Sequence, residues 1–277
     1  MSFLDRIKAL NNYKQSNKKA FIVDGKRVGQ VREDKLELVL KSDIFDFNSD
    51  YITLKAKSFE DRNRDLEEFV DYLAKEGAIK GVKGELYAIR EEYNDEPLAL
   101  VDRAASTTLG LNSYGVHVNG YIKDGNSIKM WIATRAKGKG FEDGKLDHIA
   151  AGGLPYNISA KENVIKECYE EASIPKEIAK KAVLTGFVQY RYEYENGGQK
   201  DTIFCYDLEL PKDFVPKVND GEVEKFELMD IKEVANIVEN SNRFKTNCNL
   251  VIIDFLVRHG IITEKDRDYF KIVKGLR

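Results

Sequence analysis

The sequence predicts an α+β protein with two domains, an N-terminal α/β domain over residues 1–109 and a second domain over residues 110–277. The chain of 277 residues contains 42% hydrophobic residues, which is enough to bury two cores. Before about residue 110, segments of helical spacing and alternating segments follow one another closely. After that point, long alternating segments dominate and three helical segments close the chain.

Local signals predict the elements of the N-terminal domain in order. The Asp24-Gly25 pair between two apolar runs is typical of a tight hairpin turn, and Gly77 is placed to end an amphipathic helix. The predicted elements are a helix capped by Ser2 with Phe3, Leu4, Ile7 and Leu10 on its apolar side, a hairpin of residues 20–23 and 28–31, the alternating Leu36, Leu38 and Leu40, a helix with Leu66, Phe69, Val70 and Leu73 inward, a strand around Leu86, and a short helix over residues 97–103.

The second domain is predicted to contain long strands with one half-exposed face. Val116 and Val118 alternate with His117 and Asn119, which is typical of such a strand. The predicted elements are a hairpin of residues 113–122 and 128–135, a helix from about residue 160 to 173, strands over residues 184–195 and 200–210 joined at Asn196-Gly197-Gly198, a strand over residues 224–231, and helices over residues 232–239, 248–259 and 265–274.

Composition and charge limit the classes of partner. With 44 Lys and Arg against 47 Asp and Glu, the net charge of −3 provides no broad basic surface for nucleic acid or a membrane. The longest apolar stretch, residues 250–257, is too short to span a bilayer. The N-terminus lacks the pattern of a secretory signal, and the single Cys168, Cys205 and Cys248 argue against a disulfide framework. We therefore expect a cytosolic monomer or homodimer that acts on a small molecule.

Residues 150–175 are the most informative part of the sequence. Ser159 and Glu162 form a capping-box pattern, which predicts that a helix begins at about residue 160. Three acids of this helix fall on one stripe: Glu167, Glu170 and Glu171. Like charges at this spacing cost about 0.2–0.5 kcal/mol per pair. The stripe is therefore either a solvated face screened by lysines or a site for a divalent cation.

The spacing of this segment resembles the Nudix box, G-x(5)-E-x(7)-R-E-U-x-E-E-x-G-U. Gly152 takes the first glycine position, Cys168 and Ile174 take the two apolar positions, and the three glutamates take the positions of the metal-binding core. Three positions depart from the pattern, with Ile158 for the first Glu, Lys166 for Arg and Ser173 for the second Gly.

Further segments resemble the thiamine-pyrophosphokinase-related subfamily of Nudix hydrolases. They include SYGVHVNGY, GKLD, AGGLP, NDGEVEKFELM and NLVIIDFLVRHG. In that subfamily a Nudix domain follows an N-terminal domain of unassigned function. The resemblance covers nearly the whole chain, and it implies that the second domain is a Nudix α/β/α sandwich with a mixed sheet.

The resemblance implies hydrolysis of a diphosphate with Mg²⁺, or Mn²⁺, as the cofactor. Members of the subfamily are thought to convert thiamine diphosphate, and its oxidised or toxic analogues, to the monophosphate. Glu167, Glu170 and Glu171 are the implied metal ligands. The catalytic candidates are Glu170, Glu171 and Glu222, the last of which lies in a later acidic loop.

Three residues are candidates for contacts with the phosphates. Gly152 and Gly153 would let the backbone approach a phosphate, because no Cβ stands in the way. Arg135, at the end of a predicted strand, would bind a phosphate through its guanidinium, although an exposed Arg at a strand end is also an ordinary surface feature.

The organic half of the substrate needs an aromatic surface and a few polar contacts. Tyr190 is a candidate for the first, and His117 and Asn119 are candidates for the second. His148 and His259 have neither the spacing nor the carboxylate neighbours of a metal site, and we assign them no role.

Two other functions stay open at the level of the sequence. The first keeps the chemistry and changes the substrate to a nucleoside diphosphate derivative, such as ADP-ribose or a dinucleotide. The second is a ligand-binding Nudix module without catalysis, an alternative that the departures at Ile158, Lys166 and Ser173 allow.

Overall fold

The computed structural model describes residues 1–14, 17–125, 127–138, 142–195 and 197–277. The helices are α1 (Phe3–Leu10), α2 (Glu33–Leu40), α3 (Phe59–Lys75), α4 (Ser106–Leu109), α5 (Ala160–Ala172), α6 (Lys176–Ala179), α7 (Ile231–Asn240), α8 (Cys248–Arg258) and α9 (Tyr269–Gly275). The strands are β1 (Lys18–Val23), β2 (Lys26–Arg32), β3 (Phe45–Phe47), β4 (Tyr51–Leu54), β5 (Leu86–Ile89), β6 (Ala99–Asp102), β7 (Asn112–Asp124), β8 (Ser127–Arg135), β9 (Leu146–Asp147), β10 (Ala150–Gly153), β11 (Val183–Tyr194), β12 (Gly197–Glu209) and β13 (Val223–Asp230). Within these described ranges, no helix has the length and apolar character needed to cross a membrane.

The N-terminal domain packs helix α3 into one core with a four-stranded sheet and the β5–β6 hairpin. The sheet has the order β2-β1-β4-β3, in which β1 and β4 are parallel and the other neighbours antiparallel. Helix α3 buries Leu66, Phe69 and Leu73. The rings of Phe69 and Phe45 meet edge-on with centroids 5.0 Å apart. Each fully buried side chain of this size contributes about 1.5–3 kcal/mol, so this core holds the domain together.

The second domain is built on a mixed sheet with long central strands. Five strands have the order β11-β12-β7-β8-β13, in which β12 and β7 are parallel and the other neighbours antiparallel. The short strands β10 and β9 pair with β7 and β8, respectively. The pairing of β10 places Gly152 opposite Val116 and Gly153 opposite Gly115, so the glycine pair lies beside a central strand.

Helices cover both faces of this sheet. Helices α5 and α6 pack on one face, in a core that includes Val164, Cys168 and Val116. Helices α1, α7, α8 and α9 share the other core, to which α1 contributes Leu4 and Ile7. The structure confirms the predicted α+β class with a mixed sheet in the second domain. The boundary between residues 109 and 110 stays a prediction, and the first helix packs on the second domain.

Several local predictions are confirmed. The hairpin of β1 and β2 turns at Asp24 and Gly25, whose φ angles of 48° and 76° fit the predicted tight turn. Helix α5 begins with a capping box between Ser159 and Glu162. It ends at Ser173, whose φ of 52° is the left-handed value that glycine usually adopts at this position.

Other local predictions are wrong. The predicted helix at residues 97–103 contains strand β6, because pairing with β5 buries Ala99 and Val101 in the N-terminal core. The last helix begins at Tyr269, since residues 263–268 form hydrogen-bonded turns. The alternation of Leu36, Leu38 and Leu40 does not mark a strand, because these residues lie on helix α2. Asn196, at the predicted turn, lies outside the described residues.

Ser159→Ala should lower the free energy of unfolding by about 1 kcal/mol, the usual effect of losing an N-cap. The Ser159 hydroxyl accepts from the Glu162 N–H at 3.2 Å, and the Glu162 carboxylate accepts from the Ser159 N–H at 3.1 Å. Denaturant unfolding measures the change, and Ser159→Thr should keep most of the stability. The control Ser49→Ala, in an exposed turn, should lie within about 0.5 kcal/mol of the wild type. Equal stability of Ser159→Ala and the wild type would contradict the prediction.

Candidate active site

A cleft of ≈ 670 Å³ lies between the two domains. The second domain contributes the glycine pair, the glutamates of α5, the tyrosines of β11 and the loops before β13 and α8. The N-terminal domain contributes Lys80, Lys83, Glu85, Tyr87, Arg103, Ser106 and Thr107. Both polar and aromatic side chains line the cleft, which is the composition expected of a site for a charged small molecule.

Helix α5 directs three glutamates toward the cleft, each in a different environment. Glu171 is buried, and its carboxylate accepts a hydrogen bond from the Ala151 N–H at 3.1 Å. The side chain of Glu167 is 13% exposed and that of Glu170 is 44% exposed. Lys166 lies 3.2 Å from the Glu167 carboxylate and 2.7 Å from that of Glu170. Lys166 therefore bridges the two outer glutamates of the stripe.

The glycine pair makes room for two side chains. A Cβ at Gly152 would overlap the carboxylate of Glu167, and a Cβ at Gly153 would overlap the hydroxyl of Tyr87. The Asn163 amide donates to the Gly153 carbonyl at 2.8 Å and fixes the strand in this position. A Cβ at either position would therefore force Glu167 or Tyr87 to shift, and a direct contact of the glycines with phosphate stays a prediction.

Burial and repulsion raise the pKa of two of the glutamates. The pKa of Glu171 lies well above its usual range, first because the carboxyl is buried and then because Asp147 and Glu167 are close. Burial also raises the pKa of Glu167, with Glu222 adding to the shift and Lys166 opposing it. The ionised forms of these neighbouring carboxyls are therefore destabilised in the protein alone.

The stripe fits a hard divalent cation. Carboxylate oxygens are the ligands that Mg²⁺ and Mn²⁺ prefer. Within the described part of the chain, no Lys, Arg or His forms an ion pair with Glu171. Lys245 is near enough to oppose the pKa shift of Glu171 in part, but no described basic side chain pairs with this buried carboxylate, and its position next to Glu167 favours a bound cation. Such a cation would lower both pKa values and offset the repulsion.

A second group of potential metal ligands lies buried behind the stripe. It consists of His117, Asp147, His148 and Cys248, whose donor atoms lie within 4.8 Å of one another. Asp147 is already paired with Arg135 at 2.9 Å and Lys245 at 3.4 Å, and the Cys248 thiol donates to it at 2.9 Å. Burial lowers the pKa of both histidines. Because two basic side chains oppose a further positive charge here, this cluster is better suited to support the site than to hold a divalent ion.

A further part of the wall surrounds the buried Asp201. The Tyr194 hydroxyl lies 3.3 Å from the Asp201 carboxylate, and the hydroxyls of Tyr190 and Ser113 also hydrogen-bond to it. Asn247 donates to the Tyr190 hydroxyl at 3.3 Å. Burial raises the pKa of Asp201 to about 7, although the hydroxyls oppose the shift. This wall offers aromatic surface and a carboxyl group that ionises near neutral pH.

The structure brings most of the predicted site residues together. Those that line the cleft are Glu167, Glu170, Glu171, Glu222, Gly152, Gly153, His117, Arg135 and Tyr190. Asn119 is the exception, because it is fully buried and its amide donates to Asp207 at 3.0 Å. The predicted contact between Asn119 and the substrate is wrong, since that amide is directed at an internal carboxylate and does not line the cleft.

Two other predictions need correction in their physical reason. Arg135 lines the cleft, but its guanidinium is directed at Asp147, which it holds in place. His148 has a carboxylate neighbour, since its Nδ1 lies 3.8 Å from the Asp147 Oδ1. The sequence could not show this proximity for His117 or Cys248, because they lie far from Asp147 along the chain.

Sequence reasoning missed the cleft residues that come from distant segments. They include Lys80, Lys83, Tyr87, Arg103, Asp201 and Lys245. Each is a single charged or aromatic residue in an ordinary loop or strand, so no local spacing marks it. The one available signal is the alternation of β12, which places Asp201 and Ile203 on the same side of the strand.

Known protein families match both parts of the chain. A family model described as a NUDIX domain matches residues 113–248, and one described as a domain of unknown function matches residues 2–113. Nudix hydrolase 20 of Arabidopsis thaliana is 39% identical over 269 residues, which are 93% of this chain and 72% of that protein. Nudix hydrolase 24 of the same plant is 39% identical over 262 residues, with the same shares. An uncharacterized protein of Saccharomyces cerevisiae is 34% identical, over 99% of this chain and 89% of that protein.

The comparisons also correct the predicted location. Both Arabidopsis relatives are named as chloroplastic. The prediction of a cytosolic location, which relied on the lack of a secretory pattern at the N-terminus, is therefore wrong by this comparison. A secretory pattern is only one of several targeting signals, so its absence does not define a compartment.

Glu171→Gln should stabilise the metal-free protein at and above neutral pH. A carboxyl whose pKa is raised on folding binds its proton more tightly in the folded state, so stability falls as the pH rises from the unfolded pKa through the folded one. Glutamine cannot ionise and should escape this loss. Thermal unfolding in EDTA from pH 5 to pH 8 should show a melting-temperature difference that grows with pH.

Added Mg²⁺ or Mn²⁺ should raise the melting temperature of the wild type more than that of Glu171→Gln. The exposed Glu177→Gln, on α6, is the control and should follow the wild type under all conditions. A melting temperature of Glu171→Gln that falls with pH as steeply as that of the wild type would contradict the assignment of the shift to this carboxyl.

Proposed function

This chain belongs to the Nudix hydrolase family, and on that basis we propose that it hydrolyses thiamine diphosphate, or an oxidised or toxic analogue, to the monophosphate. Family membership makes the protein a hydrolase of diphosphate-containing compounds. The identity of the organic group is the proposal. Water adds across the P–O–P bridge, so that one phosphorus gains the water oxygen and the bridging oxygen leaves with the other, releasing inorganic phosphate. The single observation that carries the proposal is one cleft lined by both the glutamate stripe and the tyrosine-enclosed Asp201.

The stripe is proposed to bind the diphosphate through a metal. Glu167 and Glu171 would hold Mg²⁺, or Mn²⁺, with Glu170 as a third ligand. When bound, the cation neutralises phosphate charge and lowers the pKa of a coordinated water. The Ala151 N–H orients Glu171 and Lys166 orients Glu167, so the chain positions both carboxylates. This positioning reduces the reorganisation needed when substrate binds.

A general base must take the proton from the attacking water. We assign this role to Glu222, which is exposed at the cleft. Its N–H donates to Asp220 at 2.8 Å and its carbonyl accepts from Ala136 at 2.8 Å, so its backbone is fixed. Its charge contributes to the raised pKa of Glu167, which supports proximity to the stripe. Glu170 is the alternative base, and separate Gln variants of the two glutamates distinguish them.

The wall around Asp201 supports a cationic organic group. A thiazolium ring carries a positive charge, which tyrosine faces attract and which a nearby carboxylate balances. An aminopyrimidine also offers an amino group that can donate to the carboxylate. A neutral nucleoside gains the second interaction but lacks the first. Tyr190, Tyr192 and Tyr194 line this part of the cleft.

Two features of α5 support catalysis over a binding module that has lost it. Lys166 bridges Glu167 and Glu170 at the place of the family's Arg. Ser173 adopts the left-handed conformation at the place of the family's second Gly. Both departures therefore keep the local geometry around the stripe.

The test is chromatographic analysis of the products from thiamine diphosphate, oxothiamine diphosphate, ADP-ribose and a dinucleotide, each with Mg²⁺ and with EDTA. The expected result is a thiamine monophosphate product only with Mg²⁺. Preferred cleavage of ADP-ribose or the dinucleotide would overturn the thiamine proposal and keep the family chemistry. Tight binding of a ligand without any product would overturn the catalytic proposal.

Glu167→Gln should reduce turnover of the preferred substrate about 10²–10⁴-fold. The substitution removes a proposed metal ligand that lies near the proposed base, Glu222. Steady-state kinetics with saturating Mg²⁺ measure the change. The matched control Glu177→Gln should retain wild-type turnover. A Glu167→Gln enzyme with unchanged kcat and metal dependence would place the metal elsewhere.

Asp201→Asn should weaken binding of a cationic substrate and remove a pH dependence. The pKa of Asp201 is about 7, so its charge, and with it the attraction for a thiazolium ring, appears as the pH rises from 6 to 8. The KM of the wild type for thiamine diphosphate should fall over this range relative to that of Asp201→Asn, with a difference of about tenfold at pH 8. Phosphate also titrates near pH 6, so the difference between the enzymes is the measured quantity.

The exposed Asp213→Asn is the control for this experiment and should keep the wild-type profile. Parallel profiles of KM against pH for the wild type and Asp201→Asn would show that the Asp201 charge does not contribute to binding of the organic group.

A further inference from the structure

The N-terminal domain reaches the cleft through one hairpin and the loop that precedes it. Strands β5 and β6 form the hairpin, and the loop and hairpin direct Lys80, Lys83, Tyr87 and Arg103 to the cleft. The family model that matches this half of the chain assigns it no function.

The loop and the hairpin are held in a defined position. The Asp102 carboxylate accepts from the backbone N–H groups of Lys83 at 3.1 Å and Gly84 at 2.7 Å. The Tyr156 N–H donates to the Leu86 carbonyl at 2.7 Å, which joins the hairpin to the loop between β10 and α5. A fixed loop loses less conformational entropy when it binds a ligand than a mobile one does.

The hairpin also contacts the glycine pair directly. The Tyr87 hydroxyl occupies the space that a Cβ at Gly153 would need. Arg103 lies beside it, hydrogen-bonds to Tyr87 and pairs with Glu85 at 2.8 Å. The Arg103 side chain is still 40% exposed, and a guanidinium has five N–H donors, so it retains donors for a ligand in the cleft.

The charges of the cleft are distributed unequally between the domains. Six basic side chains line it: Lys80, Lys83, Arg103, Arg135, Lys166 and Lys245. The last three belong to the second domain and are paired with carboxylates there, Lys166 with Glu167 and Glu170, and Arg135 and Lys245 with Asp147. Lys80 and Lys83 are exposed and form no ion pair with a described carboxylate. The available positive charge therefore comes from the N-terminal domain.

We propose that the N-terminal domain is the phosphate-binding wall of the cleft, in which Lys80, Lys83 and Arg103 hold the anionic end of a diphosphate bound at the glutamate stripe. The inference rests on the proposed function for the identity of the substrate. A diphosphate that carries one divalent cation keeps negative charge, and ammonium and guanidinium groups stabilise that charge through strong hydrogen bonds. The second domain alone offers an acidic surface, which repels such an anion. Completion of the site requires the first domain.

The test is calorimetric binding of methylene diphosphonate, a diphosphate analogue that water cannot cleave, in the presence of Mg²⁺. The variants are Lys80→Ala/Lys83→Ala in the full chain and, separately, Arg103→Gln. The control is Lys57→Ala/Lys75→Ala, which removes two exposed lysines of the same domain that do not line the cleft. We expect the double cleft variant to bind at least about tenfold more weakly and with a smaller salt dependence, and the control to match the wild type.

A second readout separates this inference from the proposed function. In steady-state kinetics with the preferred substrate, the double cleft variant should raise KM about tenfold and change kcat less, because the lysines bind the ground state and the transition state alike. Thermal unfolding shows whether each variant is folded. Equal affinity of the double cleft variant and the control for methylene diphosphonate, or no binding by the wild type, would overturn the inference. Failure of every substrate in the panel, with binding intact in the wild type and weakened in the variant, would overturn only the proposed function.

Discussion

The close approach of two carboxylates, the buried Glu171 and the half-buried Glu167, is the constraint on which the site depends. The capping box fixes where α5 begins, and the pairing of β10 with β7 holds Gly152 beneath the helix. A Cβ at position 152 would displace Glu167 from its present position, and the Ala151 N–H fixes Glu171. The two carboxylates repel each other in the protein alone. A divalent cation bound between them would offset this repulsion. One arrangement therefore accounts for the local fold and favours a bound divalent cation.

Basic side chains of the second domain pair with the carboxylates of the cleft. Lys166 screens the outer glutamates, while Arg135 and Lys245 neutralise Asp147 below them. These cations are used within the second domain, so an anionic substrate must find its positive partners elsewhere. In our proposal, the N-terminal domain supplies them through Lys80, Lys83 and Arg103.

The sequence predicted much of the fold because its signals are local. Capping at Ser159 and the turn at Asp24-Gly25 depend on neighbours a few residues apart, and the structure confirms them. Strand β7 is also confirmed as a strand, but its predicted half-exposed face is wrong, because helices bury both faces of the sheet. The helix predicted over residues 97–103 is wrong because contacts between segments, and not local signals, decide the conformation there. Pro97 is typical of a helix start, but pairing with β5 makes residues 99–102 a strand. The predicted contact between Asn119 and the substrate is wrong for the same reason. The Asn119 amide donates to Asp207, which lies on a strand far along the chain.

The sequence by itself determined the class of fold, the family and the spacing of the glutamates, since one helix carries all three and its period fixes their relation. Only the tertiary structure decided which glutamate is buried, that Asp201 and the tyrosines form one wall, and that the N-terminal hairpin reaches the same cleft. The physical reason is distance along the chain. Burial, pKa and charge balance arise from contacts between segments that lie many residues apart, and no local pattern encodes those contacts.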